Sequence, residues 1–269
     1  MRSAVRVYLA LIAAQARAQM QYRLGFLLSL TTAFAATIVD FIGLSFFFIH
    51  FPDIGGWRLP EIALLYVLVN LPFSVAHLLG EGFEDFRRYV QLGELDRLLL
   101  RPRPVALQVA GDGLALRQFG RLAQVLVVAA LTWRWLDLGA RWSAADWLLA
   151  GWAMLGGLAF YLGVFLLSAT LCFWTVESIE LANIVTYGST EMAIYPMPIF
   201  GRWLRRTFTY LVPLAFVNYY PALILLRRPD PTGLPLWTGW AAPLVCLAVL
   251  GLGRAAWGVG LRRYQSTGS

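Results

Sequence analysis

The stretch EGFEDFRRYVQLGELDRLLLRP, residues 81–102, is the most polar part of an otherwise apolar chain. Its density of Glu, Asp and Arg keeps it out of hydrocarbon, so it faces water beside whatever its neighbours cross. Phe83, Phe86 and Val90 recur at helical spacing, Gly93 interrupts, and Leu95, Leu98 and Leu99 begin a second stripe. The pattern predicts two short amphipathic helices in the membrane interface, hinged at Gly93. On this reading Phe83 and Phe86 are aromatic knobs offered to a soluble partner, and Glu84, Asp85, Arg87 and Arg88 orient the contact. The competing reading is a solvated loop between two spans.

Working outward, the 269 residues are 59% hydrophobic and only 14% charged, with a mean hydropathy of +0.64. Soluble domains carry roughly a quarter charged residues, so this composition describes an integral membrane protein. Six spans of about 20 residues, with the loops that join them, leave little outside the bilayer and predict one domain over residues 1–269, with no room for a separate catalytic module. All 22 basic residues are Arg. Without Lys there is no Walker A loop and no Schiff base. The net charge of +7 fits arginines anchoring cytoplasmic loops better than nucleic-acid binding. Cys172 and Cys246 fall in apolar runs, as buried thiols do, and His50 and His77 stand too far apart to predict a metal site.

Upstream, residues 2–23 lack the apolar core of a signal peptide. Arg2, Arg6 and Arg17 share a face within roughly 60°, predicting an interfacial helix, although Gln15 and Gln19 occupy its supposed apolar side. The first span is read over 24–51, with Asp40 inside it. A carboxylate there is costly and is either functional or bonded to a neighbour. The second, 61–79, contains Asn70, Pro72 and His77, and Pro72 is expected to kink it. Downstream, the third span is read over 114–133. Trp133, Trp135, Trp142 and Trp147 mark the outer interface. The fourth, 147–173, carries Gly156, Gly157 and Gly163, whose small size suits close helix contact.

Residues 175–200 place Glu177, Glu180 and Glu191 within roughly an 80° arc of one helix. Those carboxylates line a polar route between subunits, or pair with arginines, or the segment does not span. Arg202, Arg205 and Arg206 then create a conflict, because a fifth span ending at 200 leaves them outside against the positive-inside tendency. Either they are tolerated and 208–226, broken by Pro213 and Pro221, re-enters from outside, or 208–226 is itself the fifth span. The last span is read over 241–259, with Arg254, Arg262 and Arg263 placing the C-terminus in the cytoplasm.

GELDRLLLRP, residues 93–102, and YPMPIFGRWLRRTFTYLVPLAFVNYYPALILL, residues 195–226, together with the order of spans resemble the ABC-2 type transporter permeases, in the branch often encoded as pairs beside an ATP-binding subunit. The resemblance implies an all-α integral membrane fold of six transmembrane helices. It further implies an N-terminal interfacial helix, a cytoplasmic coupling helix between spans two and three, and re-entrant helices before span six. The expected function is that of the membrane subunit of an ATP-driven exporter, moving an amphipathic or lipid-linked substrate. Both termini are expected in the cytoplasm of a bacterial inner membrane. The expected partners are an ABC ATPase carrying the ATP and Mg, a second permease and membrane lipid, with no cofactor on this chain and no nucleic acid. The alternative is a membrane enzyme acting on a lipid, with Asp40, His77 or the glutamates as acid or base. Against it, no close His–carboxylate pair is evident.

Overall fold

The computed structural model describes residues 13–15, 17–113, 116–175, 179–230, 233–235 and 237–264, with only the backbone described at 112 and 179–185. Among the described residues the regular structure is helical, and four helices carry the architecture. These are α1 (Arg23–His50), α2 (Leu59–Glu84), α8 (Ala144–Leu171) and α12 (Thr238–Arg263), each long and apolar enough to cross a membrane. Between them lie α3 (Phe86–Gln91), α4 (Glu94–Leu99), α5 (Val105–Asp112), α6 (Gln118–Leu136), α7 (Leu138–Arg141), α9 (Ile179–Ala193), α10 (Arg202–Arg206) and α11 (Tyr219–Leu225).

Local chemistry sets the boundaries. The α2 start has Pro60 in its first turn, and the Arg58 amide donates to Glu61 Oε2 at 2.8 Å. At α8 the Ser143 amide donates to Asp146 Oδ2 at 2.8 Å, and Asp146 N returns a bond to Ser143 Oγ. This reciprocal cap satisfies donors that the helix leaves open. Gly93, at φ 67°, makes the left-handed turn between α3 and α4, where the sequence places the hinge.

Helix α2 is the centre of the bundle, packing on α5, α6 and α8, while α12 runs along α8. Glycines set the closest approaches. A Cβ on Gly163 would stand 2.7 Å from the Leu250 amide nitrogen, and one on Gly157 would stand 2.8 Å from the Pro72 ring. The glycine-rich fourth span is therefore a packing face, as expected. Gly163→Val is predicted to cost about 1–3 kcal/mol, the usual penalty for overpacking, because it meets backbone rather than a yielding side chain. A lowered melting temperature of the purified variant in detergent is the check, and an unchanged one would refute the interlock.

Three sequence expectations change. Helix α2 carries no dihedral break at Pro72; the non-helical residue is Gly80, and Pro72 sits in a groove opened by Gly157. The second helix also runs on to Glu84, past the expected end at 79. Its terminal charges are matched: Arg117 bonds Glu81, and His77 lies beside Glu84. Finally, α6 runs on to Leu136, past the expected end at 133, and is a 19-residue helix less apolar than the four long ones, since Arg121, Gln124 and Arg134 dilute it.

The segment after α9 bends by 73° between Arg202–Leu211 and Leu214–Leu225. Pro213 stands at that bend, and Pro221 lies in the first turn of α11, where its missing amide is tolerated. Both ends of the pair return to one loop. Ile199 lies 3.2 Å from where a Gly55 Cβ would stand, and Arg228 donates to the Gly56 carbonyl at 2.6 Å and to Glu61 at 2.9 Å. Counting the pair as one crossing would raise the four long helices to five. Helix α9, with 15 residues, reaches only about 22 Å at 1.5 Å per residue.

Candidate functional site

Two polar regions interrupt the apolar bundle. The first lies between the middle of α2 and the first two turns of α6. Tyr66 OH donates to Gln124 Oε1 at 3.1 Å, and Arg121 Nη2 donates to Asn70 Oδ1 at 3.3 Å. The Arg121 guanidinium also lies 4.7 Å from the Phe73 ring centre. Asn70 and Gln124 are buried, and Asn70 further donates to the Tyr66 carbonyl. These side chains give an arginine a partner at a depth where charge is expensive.

Two carboxylates singled out in the sequence converge on this cluster from other helices. Asp40 on α1 and Glu191 on α9 are both exposed, and Glu191 lies within electrostatic range of Arg121 and Asp40. Glu180 belongs to α9, but its side chain is not described, and Glu177 lies outside the described residues. Helix α1 shares this openness: of its 28 residues only Phe41 is buried, against the Tyr66 ring at 5.2 Å. The sequence reading noticed the carboxylates yet missed Arg121 as their counter-charge. The available signal was a single Arg three residues before Gln124 within an apolar helical run.

The second region is the polar stretch itself, and here the sequence reading is corrected. Phe83 and Phe86 do not project toward a partner: they are 5% and 0% exposed. Phe86 packs 4.8 Å from Trp257 and 5.2 Å from Phe173, while Phe83 meets Trp257 at 5.5 Å. Periodicity identified one face correctly but assigned it to the wrong side, since the end of α12 supplies an aromatic pocket invisible in the local pattern. Asp85 and Arg88 are exposed, lying 3.7 Å apart, while Arg87 and Glu84 are half-buried. The exposed apolar groups are Leu92, Leu99 and Leu100, at 62%, 44% and 86%, with Arg88, Arg97 and Arg101 around them. The carboxy-terminal Tyr264 packs behind them on Phe173, and burial together with Asp96 raises its phenol above the ordinary value.

Glu84 ties this surface to the interior. Its carboxylate lies 3.3 Å from His77 Nδ1 and accepts the Tyr187 hydroxyl at 3.1 Å, so α2 and α9 share one polar contact. The reading that no His and carboxylate are paired is thereby corrected, because residues seven apart meet on one helix face. His77 is nevertheless 1% exposed, walled by Phe73 and Phe165 at 4.4 and 4.8 Å. No substrate reaches an imidazole so enclosed. A polar basin of about 640 Å³ opens at this end, lined by Glu81, Glu84, Arg117, Gln15 and Gln19 among others. Gln19 accepts the Leu116 amide at 3.3 Å, which explains why glutamines occupy the inner side of the first amphipathic segment. Of that segment's arginines, Arg17 is exposed, and Arg2 and Arg6 lie outside the described residues. Among the described residues no group of three or more His, Cys, Asp or Glu side chains gathers as a metal site.

A family model described as an ABC-2 family transporter protein matches residues 34–268. No curated protein and no solved structure matches the chain.

Proposed function

We propose that this chain, which belongs to the ABC-2 family of transporter proteins, is the membrane-spanning half of an ATP-driven exporter that receives its work through the surface around Leu92, Leu99 and Leu100. The carrying observation is continuity. Helix α2 leads from the Asn70–Arg121 contact through the Gly80 break to α3 and Leu92, and the Gly93 turn carries α4 on to Leu99 and Leu100, with Glu84 linking α2 to α9. A push at those leucines therefore reaches the polar centre through packed helices joined at Gly80 and Gly93. The exposed leucines replace Phe83 and Phe86 as anchors, while Asp85 and Arg88 remain placed to orient the docking.

In this reading the chain makes six crossings, with α6 and α9 completing the four long helices. The bent pair beside Pro213 and Pro221 is re-entrant, supported by the return of both ends to the loop at residues 55–61. Such backbone is tolerated in a membrane where protein encloses it. Both termini lie in the cytoplasm of a bacterial inner membrane, on the side of the polar stretch. Arg202, Arg205 and Arg206 remain an exception to the positive-inside tendency.

Asp40, Glu191 and the open face of α1 turn toward a second permease, because a carboxylate facing lipid would be costly. Glu180 and Glu177 continue that path. The ATP and Mg reside on the partner ATPase. Apolar walls with few fixed charges suit an amphipathic or lipid-linked cargo. The lipid-enzyme alternative loses His77, which is sealed, and is left with the exposed carboxylates Asp40 and Glu191 without an imidazole beside them.

Purification in mild detergent with co-encoded partners tests the proposal: a Walker A ATPase and a second permease should accompany the chain. Lipid turnover by the chain alone would overturn it. Glu191→Gln is expected to leave that complex assembled while lowering cargo-stimulated ATP hydrolysis about tenfold, the effect of roughly 1.4 kcal/mol at one charged contact. Unchanged stimulation would place Glu191 outside the path.

A further inference from the structure

At the opposite end of the bundle from the polar stretch, a cleft of about 260 Å³ separates α2, α6 and α8. Leu64, Leu68, Ala129 and Gly151 form its walls, and Trp133 and Trp147 flank its mouth with ring centres 4.7 Å apart. Its lining is almost wholly apolar. Along α8 it extends from Trp147, in the first turn, to Met154. Trp147 and Met154 are seven residues apart, about 10 Å at 1.5 Å per residue, against a leaflet of roughly 15 Å, half of a hydrocarbon core of roughly 30 Å. The cleft therefore begins at the tryptophan belt and reaches about two thirds of the way through one leaflet.

Two arginines adjoin the lining tryptophans in sequence. Arg134 follows Trp133 in α6, and Arg141 precedes Trp142, a third ring of the mouth. Asp137 lies between them, and Asp146 is already bonded by Arg227 at 3.1 Å and by Ser143. Both arginines are exposed. An apolar slot that starts at tryptophans, with an exposed arginine next in sequence to two of them, has the chemistry of a lipid site.

We propose that this cleft holds one acyl chain of an anionic glycerophospholipid, whose phosphate is bound by Arg134 and Arg141. The lipid is a fixed component of the fold at this end, wedged between α6 and α8. A Cβ added at Gly151 meets nothing within 4 Å, so a larger side chain can enter the cleft without moving backbone.

The test is native mass spectrometry of the intact chain with its co-purified partners, delipidated and titrated with palmitoyl-oleoyl phosphatidylglycerol or the matching phosphatidylcholine. One phosphatidylglycerol per chain should survive delipidation. Gly151→Phe should reduce that retained population at least tenfold, whereas Gly251→Phe, where added atoms also meet open space, should not. Replacing Arg134 and Arg141 by Gln should lower phosphatidylglycerol retention to the phosphatidylcholine level. If Gly151→Phe fails to fold, Ala129→Leu fills the cleft from α6 and should have the same effect. Equal retention by the cleft-filling variant and the unmodified chain would overturn the proposal, leaving only annular lipid. So would equal retention of both lipids by the unmodified chain. A change of oligomeric state on filling the cleft, without loss of lipid, would assign the cleft to a second copy and overturn it as well.

Discussion

Phe86→Ala is expected to unfold the polar end of the chain, at a cost of about 3–5 kcal/mol, the range for removing a buried aromatic ring. The ring is fully buried and packs edge-on against Phe173 and Trp257, which hold α3 to the ends of α8 and α12. Its removal leaves a cavity bounded by two aromatics that cannot collapse without moving their helices. Trypsin should then cleave at Arg87 or Arg88 in the folded bundle, and the melting temperature in detergent should drop. A variant with unchanged melting and protease resistance would show that the ring packs elsewhere.

Leu100→Glu should behave in the opposite way. At 86% exposure the side chain supports nothing within its own chain, so the variant is expected to insert and melt as the unmodified protein does. Its effect falls on association. Burying Leu100 in a partner pocket and then replacing it with a carboxylate is expected to cost at least about 2 kcal/mol, a roughly thirtyfold weaker capture of the ATPase. Co-purification at fixed detergent and salt provides the measurement. The two variants separate fold from coupling: one loses stability, the other loses only its partner.

That separation shows how far sequence reasoning reached. Residues 24–51, 147–173 and 241–259 fall close to Arg23–His50, Ala144–Leu171 and Thr238–Arg263, because hydropathy and caps such as Ser143–Asp146 are local signals. The Gly93 hinge was legible for the same reason: a left-handed residue between two stripes favours glycine. The orientation of Phe83 and Phe86 was not. A helical stripe reveals which residues share a face, yet the choice between core and partner depends on Trp257, some 170 residues downstream. The Arg121 contact with Asn70 was hidden likewise, since the two lie on different helices 51 positions apart. The extension of α2 to Glu84 depended on His77 and Arg117 offsetting charges that, read alone, marked a boundary.

Coupling in the proposed transporter depends on energy entering through the exposed leucines. A photo-activatable benzoylphenylalanine at position 100, expressed in cells with the neighbouring genes and irradiated, tests it most directly. A covalent adduct with a Walker A-bearing ATPase subunit is expected, and no such adduct from the same probe placed on α1 at position 46, where Phe46 is 61% exposed on an apolar helix. Adducts from position 100 to lipid alone, or to no protein under conditions that preserve transport, would contradict it.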